Sequence, residues 1–287
     1  LSPKMADVPA NPNIELLTFT EIEEITGYLG NYEVTVVKKP RYVDTEKCTA
    51  CGKCTEVCPV VVPNEYEEGL TSRKAIYLPS PIAVPHSFIL DDQACLGLFP
   101  MACERCSEVC EPNAINYDDT PERVKFTVDT IIVATGFDIF DARGKKVYGI
   151  EHSRNVITAL DMERLIVHAS EGKPLRLIGK FIRGRVAEVN SSSSDGKVTL
   201  KVEDTLTRQI IEADFDLVVL SVGLLPGEGT KQIARILKLA ESPDGFLQEA
   251  HPKFRPVDTL ADGVFICGCA QGPKDIPDTV AQASAAS

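Results

Sequence analysis

No apolar run in the 287 residues approaches the length of a membrane span. The first residues, Leu1-Ser2-Pro3-Lys4-Met5, have neither the charged head nor the apolar centre of a secretory signal. A cytoplasmic protein without a membrane span is therefore expected. Positive charge is also in short supply: 30 lysines and arginines stand against 42 aspartates and glutamates, a formal net charge of -12. Ligating thiolates would make the chain more negative still, which argues against nucleic acid or an anionic membrane surface as partner. Proteins and small redox molecules are left. No repeat of 20 to 50 residues is visible, so solenoids and propellers are set aside. Cysteine, too, is scarce outside one stretch, since eight of the ten lie between Cys48 and Cys110. With 44% apolar and 25% charged residues, the composition is that of an ordinary globular chain with room for two or three compact units.

Clustering of this kind points to metal rather than to a disulfide framework. The strongest signal is Cys48-Thr49-Ala50-Cys51-Gly52-Lys53-Cys54-Thr55-Glu56-Val57-Cys58-Pro59. In the bacterial ferredoxin run of this form, three cysteines at intervals of three wrap one cluster and the fourth ligates the other. A short turn projects three sulfurs to one cubane, and the helix that follows carries the fourth out of its reach. A second set, Cys95, Cys103, Cys106 and Cys110, lengthens the first interval but keeps the CxxCxxxC ending, with Pro112 one place late. Pseudo-twofold pairing assigns Cys48, Cys51, Cys54 and Cys110 to one [4Fe-4S] cluster, and Cys58, Cys95, Cys103 and Cys106 to a second. The competing readings are zinc or structural disulfides; zinc sites join CxxC pairs through longer spacers.

Around this unit the chain reads as sheet. Glu21-Ile22-Glu23-Glu24-Ile25 and Tyr32-Glu33-Val34-Thr35-Val36-Val37, separated by Gly27 and Gly30, predict strand, turn, strand. Val124 to Gly136 predicts a strand pair ending in an apolar run. The spacing of Val156, Leu160, Leu165 and Ile166 predicts a helix over 156–170, with Gly172 just past its end. A hairpin meander follows, with Phe181 to Val189, a loop of Asn190, four serines, Asp195 and Gly196, then Val198 to Val202 and Ile210-Ile211. Leu217 to Gly223 reads as a parallel strand covered on both faces. A helix over 231–240, a strand over 263–268 and a helix from about Pro277 complete the chain.

Three strands ending in glycine suggest an α/β nucleotide-binding fold with its ligand at the strand ends. Ile131 to Gly136, Leu220 to Gly223 and Phe265 to Gly268 resemble the strand ends of two-dinucleotide-domain flavoproteins such as thioredoxin reductases, where glycine admits the backbone to a cofactor. In Gly268 to Thr279 a strand end, a proline-rigid loop and a capped helix start follow directly on one another, and amides at that start suit negative charge on a reduced flavin ring. Thr135, Gly136, Gly268, Ala270, Gln271, Gly272, Lys274, Asp275 and Thr279 are the candidate cofactor-binding residues. Lys274 is also the candidate for tuning the flavin, against the alternative of a solvated loop lysine. Cys267 and Cys269 alternate, so one is expected in the core; a redox-active pair is the alternative.

Several of these segments together resemble one family, the A subunit of heterodisulfide reductase, which is the flavin and iron–sulfur subunit in methanogens and related anaerobes. The resemblance runs along essentially the whole chain. It is carried by Asn13-Ile14-Glu15-Leu16-Leu17, both cysteine sets, Arg73-Lys74-Ala75-Ile76-Tyr77, Ala83-Val84-Pro85, Val133 to Asp138, Phe181-Ile182-Arg183-Gly184, and Gly272 to Ala283. It implies a thioredoxin-reductase-like FAD/NAD(P)-type two-domain α/β core with an inserted α+β ferredoxin domain carrying two [4Fe-4S] clusters. On that basis residues 1–40 and 119–174 belong to the flavoprotein core, 41–118 to the ferredoxin domain, 175–260 to a remnant of a second nucleotide-type domain, and 261–287 to a C-terminal FAD-binding segment.

The resemblance also implies flavin-based electron bifurcation in methanogenesis: electrons from a hydrogenase or formate dehydrogenase reach FAD, which sends one toward ferredoxin and one toward the heterodisulfide of coenzymes M and B. The disulfide is reduced on a partner protein, with the B and C subunits of heterodisulfide reductase as partners and a homodimer within the larger complex. The family's G-x-G-x-x-G unit and upstream cysteines are not in this sequence. Near Pro174 to Lys180 the chain passes directly to Phe181, where the family carries a further nucleotide-type unit, and the tail stops within the last helix. The sequence thus reads as an incomplete version of a longer chain. Two other readings stand beside this one: a non-catalytic ferredoxin-like electron relay, separable by stoichiometric flavin, and an A-type subunit of a sulfate-reducer or sulfur-oxidiser complex.

Overall fold

A computed structural model of the chain describes residues 7–98, 102–169, 183–190 and 196–287. Leu1 to Met5, Gly172, Pro174 to Lys180, Phe181-Ile182 and the serines 191–194 lie outside the described residues. The chain is mixed α/β, and no helix among the described residues is long and apolar enough to cross a membrane.

The first hairpin is dictated by its turn. Gly27 and Gly30 both take positive φ, and a Cβ on Gly27 would stand 2.2 Å from the carbonyl oxygen of Asn31, so only glycine lets the chain reverse there. The strands Thr20–Tyr28 and Asn31–Lys38 pair antiparallel, and Glu122–Val128 joins the other edge of the second, with Tyr32 opposite Val128 and Lys38 opposite Glu122. Everything between Lys38 and Glu122, including all eight clustered cysteines, leaves and re-enters at one point on this sheet. The two ends are tied by a Lys38–Glu122 ion pair at 3.6 Å and by the Asp119 carboxylate, which accepts the amides of Arg41 and Tyr42 at 2.9 and 3.1 Å.

Tyr32, Val34 and Val36 turn their side chains inward, as the period of a strand requires. There they meet Val133, Val264, Ile266, Leu247 and the buried face of the helix Thr230–Leu237 in one core. Ile131–Val133 and Val264–Ile266 run parallel in this core, and the Tyr32 hydroxyl donates to the Asp262 carbonyl at 2.6 Å, fixing sheet to loop.

Three expectations are corrected. Residues 156–170 are not one helix: Val156–Thr158 is a strand parallel to Val218–Leu220, as suits three β-branched residues. Thr158 then caps the helix Ala159–Ala169, its amide donating to the Asp161 carboxylate at 2.8 Å while the Asp161 amide donates to its hydroxyl at 3.2 Å. The strand in Leu217 to Gly223 is not covered on both faces, because Leu217 and Val219 stand 41% and 42% exposed while Val218 is buried against Val156. The expected helix over 231–240 is Thr230–Leu237, stopped where Lys238 takes a left-handed conformation. Of the three glycine-ended strands, two therefore pair with each other in parallel and the third pairs with Val156–Thr158 in a separate sheet. The meander is present as Gly184–Asn190, Val198–Asp204 and Gln209–Phe215.

Ile266 is fully buried where the hairpin sheet meets the parallel pair. Ile266→Ala is expected to destabilise the fold by about 2–5 kcal/mol, the range for emptying a large aliphatic site. Denaturant unfolding measures it, and a loss under about 1 kcal/mol would mean that this junction does not carry the core.

Candidate iron–sulfur centre

The inserted module is built twice. The Asp44 carbonyl accepts the Cys48 amide at 3.0 Å and its carboxylate accepts the amides of Glu46 and Lys47; the Asp91 carbonyl accepts the Cys95 amide at 2.9 Å and its carboxylate accepts those of Gln93 and Ala94. The Asp44 amide donates to Ala114 and the Asp91 amide to Ala75, both at 2.7 Å. Each half thus begins with an aspartate that bends the chain toward a cysteine four residues on. Asp91 is held in turn by Arg73, whose guanidinium donates to it at 2.8 Å and to Glu65.

In the first half, Ala50 and Gly52 take positive φ of 53° and 84°, which coils the loop so that successive cysteines face one side. The short helix Lys53–Val57 then carries Cys54, and Cys58 leaves its end in an extended conformation that aims the sulfur elsewhere. Arg105–Glu108 plays the matching part for Cys106, and Cys110 follows it.

The result is two hollows. One is lined by Cys48, Cys51, Cys54 and Cys110 together with Val43, Phe88 and Ile76. The other is lined by Cys58, Cys95, Cys103 and Cys106 together with Ala75, Leu90 and the same Ile76. The structure therefore brings together the two quartets that the spacing pairs, and Ile76, 1% exposed, stands as the wall between them. The sulfurs surround a space, and among the described residues no three His, Cys, Asp or Glu side chains converge as ligands of one ion. Four cysteines to a hollow is the donor set of a four-iron cubane. The donor set and the hollows fit two such clusters.

Burial pushes the Cys54 thiol up to about 12, with the neighbouring Cys106 and Cys48 sulfurs adding repulsion. Burial likewise raises Cys95 and Cys106, the first also feeling Cys58 and Cys103, the second Cys95 and Cys58. The Gly97 amide softens the rise at Cys95, donating to its sulfur at 3.3 Å; the Ala114 amide donates to the Cys110 sulfur at the same distance. The Tyr117 hydroxyl lies 3.0 Å from the Cys106 sulfur.

The nine residues considered for flavin lie elsewhere, at the ends of Ile131–Val133 and Val264–Ile266. Thr135 shares a hydroxyl hydrogen bond of 2.9 Å with Thr230. Gly136 and Gly272, with φ of 72° and 153°, face open space where a Cβ would meet nothing within 4 Å. Gly268 is different: a Cβ there would press on Thr279 at 3.0 Å, so it seats the helix Ile276–Ala286. Ala270 is fully buried in the core and its carbonyl accepts the Leu247 amide. Gln271 is engaged by Gln282 and Glu249, and Gln282 also accepts the Gly268 amide at 2.9 Å. The Lys274 carbonyl accepts from the Cys269 thiol at 3.7 Å. Asp275 caps the last helix by accepting the Asp278 amide at 2.8 Å, and Pro277 has no N–H to offer. Cys267 is the buried member of its pair, packed with Val257 and Ala286, and neither it nor Cys269 is in a disulfide.

Sequence reasoning missed the paired aspartates, although Val43-Asp44-Thr45-Glu46-Lys47-Cys48 and Leu90-Asp91-Asp92-Gln93-Ala94-Cys95 show the repeat once aligned. It also missed Tyr117, Glu249 and Gln282, which no motif marks.

Fold and site define an iron–sulfur oxidoreductase type, with a ferredoxin-like module set into an α/β core. The sequence family described as the 4Fe-4S binding domain matches residues 41–63. Over all of its residues the chain is 41% identical to the A subunit of H(2):CoB-CoM heterodisulfide,ferredoxin reductase from Methanothermobacter marburgensis, covering 54% of that protein. It is 39% identical to the iron-sulfur A subunit of CoB-CoM heterodisulfide reductase from Methanocaldococcus jannaschii, covering 55%. The A subunit of ferredoxin:CoB-CoM heterodisulfide reductase from Methanosarcina mazei is 34% identical over 99% of the chain and 45% of its own length. The chain belongs to the family of heterodisulfide reductase A subunits, and it spans about half the length of the curated relatives it matches. Among solved structures, T. acidophilum thioredoxin reductase matches 58% of this chain and 65% of its own at 14% identity, with a TM-score of 0.32; at that score the superposition carries no argument.

A thiol whose value is raised in the fold favours folding while it keeps its proton. That contribution is full below the ordinary value of 9.0 and is lost as pH rises toward about 12. The metal-free protein is therefore expected to lose thermal stability across that alkaline window, and the metal-loaded protein to hold it, since its sulfurs are already thiolates. Melting followed by circular dichroism decides; metal-free protein unaffected across that window would contradict the burial argument.

Proposed function

We propose that this chain is the electron-carrying part of a heterodisulfide reductase A subunit, holding two [4Fe-4S] clusters and, in the complete protein, FAD. The observation that carries the reading is the pair of cysteine-lined hollows sharing Ile76 as a wall. Cys48, Cys51, Cys54 and Cys110 hold one cluster, and Cys58, Cys95, Cys103 and Cys106 the other. Bound there, the clusters supply one-electron transfer, and the flavin supplies the exchange between electron pairs and single electrons.

The protein's own part is positional. Ile76, Phe88 and Val43 keep water from the sulfurs, and Asp44 and Asp91 fix where each quartet begins. Gly136 and Gly272 leave backbone open at the strand ends, as close approach of a flavin requires. Thr135, Gly268, Ala270, Gln271, Asp275 and Thr279 shape that rim, and Lys274 supplies a cation beside it. In this reading electrons from a hydrogenase or formate dehydrogenase reach FAD and divide between ferredoxin and the CoM-S-S-CoB heterodisulfide. The disulfide is reduced on a partner subunit, with the B and C subunits as partners, within a cytoplasmic complex containing a homodimer of this chain. The names of the relatives, which join heterodisulfide and ferredoxin, support that division.

Anaerobically purified full-length protein is expected to carry at least about eight irons, four per cubane in this module, with matching acid-labile sulfide and coupled S = 1/2 signals on reduction. Bound FAD in stoichiometric amount supports the flavin assignment; iron without flavin would leave an electron relay, and zinc in place of iron would sink the reading. Cys54→Ala and Cys106→Ala are each expected to cost one cluster, about four irons fewer than the unaltered protein. Retention of both clusters would overturn the ligand sets.

A further inference from the structure

We infer that Tyr117 and Lys74 raise the reduction potential of the cluster held by Cys58, Cys95, Cys103 and Cys106 above that of its neighbour, so that electrons entering the module collect there. The inference rests on the two-cluster reading above.

Hydrogen bonds to ligand sulfurs and nearby charge are the protein's means of setting a cluster's potential. The two halves of the module match in one of these: each quartet receives a backbone amide at 3.3 Å, from Ala114 to Cys110 in one and from Gly97 to Cys95 in the other. Those contributions cancel in the comparison. Among the described residues Tyr117 has no counterpart beside the other quartet. It follows the bridge between Val43 and Ile115 that closes the module, and its ring lies against Gly97, where a Cβ would stand 3.1 Å from the ring and 2.4 Å from the Cys103 carbonyl. Glycine at that position lets the ring in, and the hydroxyl comes within 3.0 Å of the Cys106 sulfur. A ligating sulfur has no proton to give, so Tyr117 is the donor, and the reduced, more negative cluster gains more from it than the oxidised one.

Lys74 adds charge on the same side. Its ammonium donates to the Cys58 carbonyl at 2.8 Å in a half-buried position, and among the described residues it takes part in no ion pair. The cation beside the other hollow, Lys53, is paired with Glu111 at the surface and its charge is offset. Both unmatched features therefore favour an added electron on one cluster over the other.

The test is a potentiometric EPR titration with dithionite as reductant, on anaerobically purified full-length protein, with iron counted on every sample. Two waves are expected from the module in the unaltered protein, the lower one lost in Cys54→Ala and the upper one lost in Cys106→Ala. Tyr117→Phe keeps the ring and removes the hydroxyl; it is expected to lower the upper wave and leave the lower in place, and Lys74→Met is expected to move the same wave in the same direction. A single wave, a shift of the lower wave, or no shift in either variant overturns the inference. Should Tyr117→Phe lose iron, Lys74→Met decides alone by the same criterion. Fewer than about eight irons in the unaltered protein would instead sink the two-cluster reading, four irons being due to each cubane.

Discussion

Eight cysteines gathered into one small module, most of them partly buried and Cys106 fully so, are the constraint on which the rest of the structure depends. As thiolates without metal they would repel one another in a medium that stabilises charge poorly, and the rise of Cys54, Cys95 and Cys106 is the measure of that conflict. The module has little else to hold it: its central cluster is Val43, Ile76, Phe88, Ala114 and Cys106 itself, with cysteines making up much of the surrounding layer and Ala75, Ile89 and Leu90 buried beside it. Iron bound by these thiols would resolve the conflict by supplying positive charge among them, which would couple its binding to folding.

A unit of that kind needs an attachment that does not depend on its own packing. The strands Asn31–Lys38 and Glu122–Val128 provide it, since they are already paired where the module leaves and returns. Asp119 then clamps the amides of Arg41 and Tyr42, and the Arg41 guanidinium reaches back to the Thr18 hydroxyl at 2.6 Å. Sheet pairing, a carboxylate clamp and an arginine tie thus fix the entry of the module to the core on which the glycine-ended strands sit.

What could be read in the sequence follows from how local each cause is. The run from Cys48 to Cys58 was legible because loop and helix alone decide where four closely spaced sulfurs point. The mixed α/β class and the hairpin around Gly27 and Gly30 were legible for the same reason. Val156 to Thr158 misled because a helical spacing of apolar residues overlapped three β-branched ones, and the partner strand, Val218–Leu220, decided between them from far along the chain. Leu217 to Gly223 misled because an apolar sequence states a preference for cover, not its presence. The chain linking Gly268, Gln282, Gln271 and Glu249 joins residues far apart in sequence, and nothing local announces it.

That bare strand bears on the family. The alignment with the Methanothermobacter marburgensis relative runs over 364 positions, while this chain has 287 residues, so the relative carries internal residues with no counterpart here. A parallel pair of two short strands, with Leu217 and Val219 exposed on one face, has the sequence of a wider covered sheet and the neighbours of a narrow one. The cysteine module shows no such mismatch: both quartets, both aspartates and the clamp on its ends all lie within the chain. The cysteine module is thus the part of the chain whose arrangement is self-contained, whereas the open backbone at Gly136 and Gly272 lies at the ends of strands that pair only two by two.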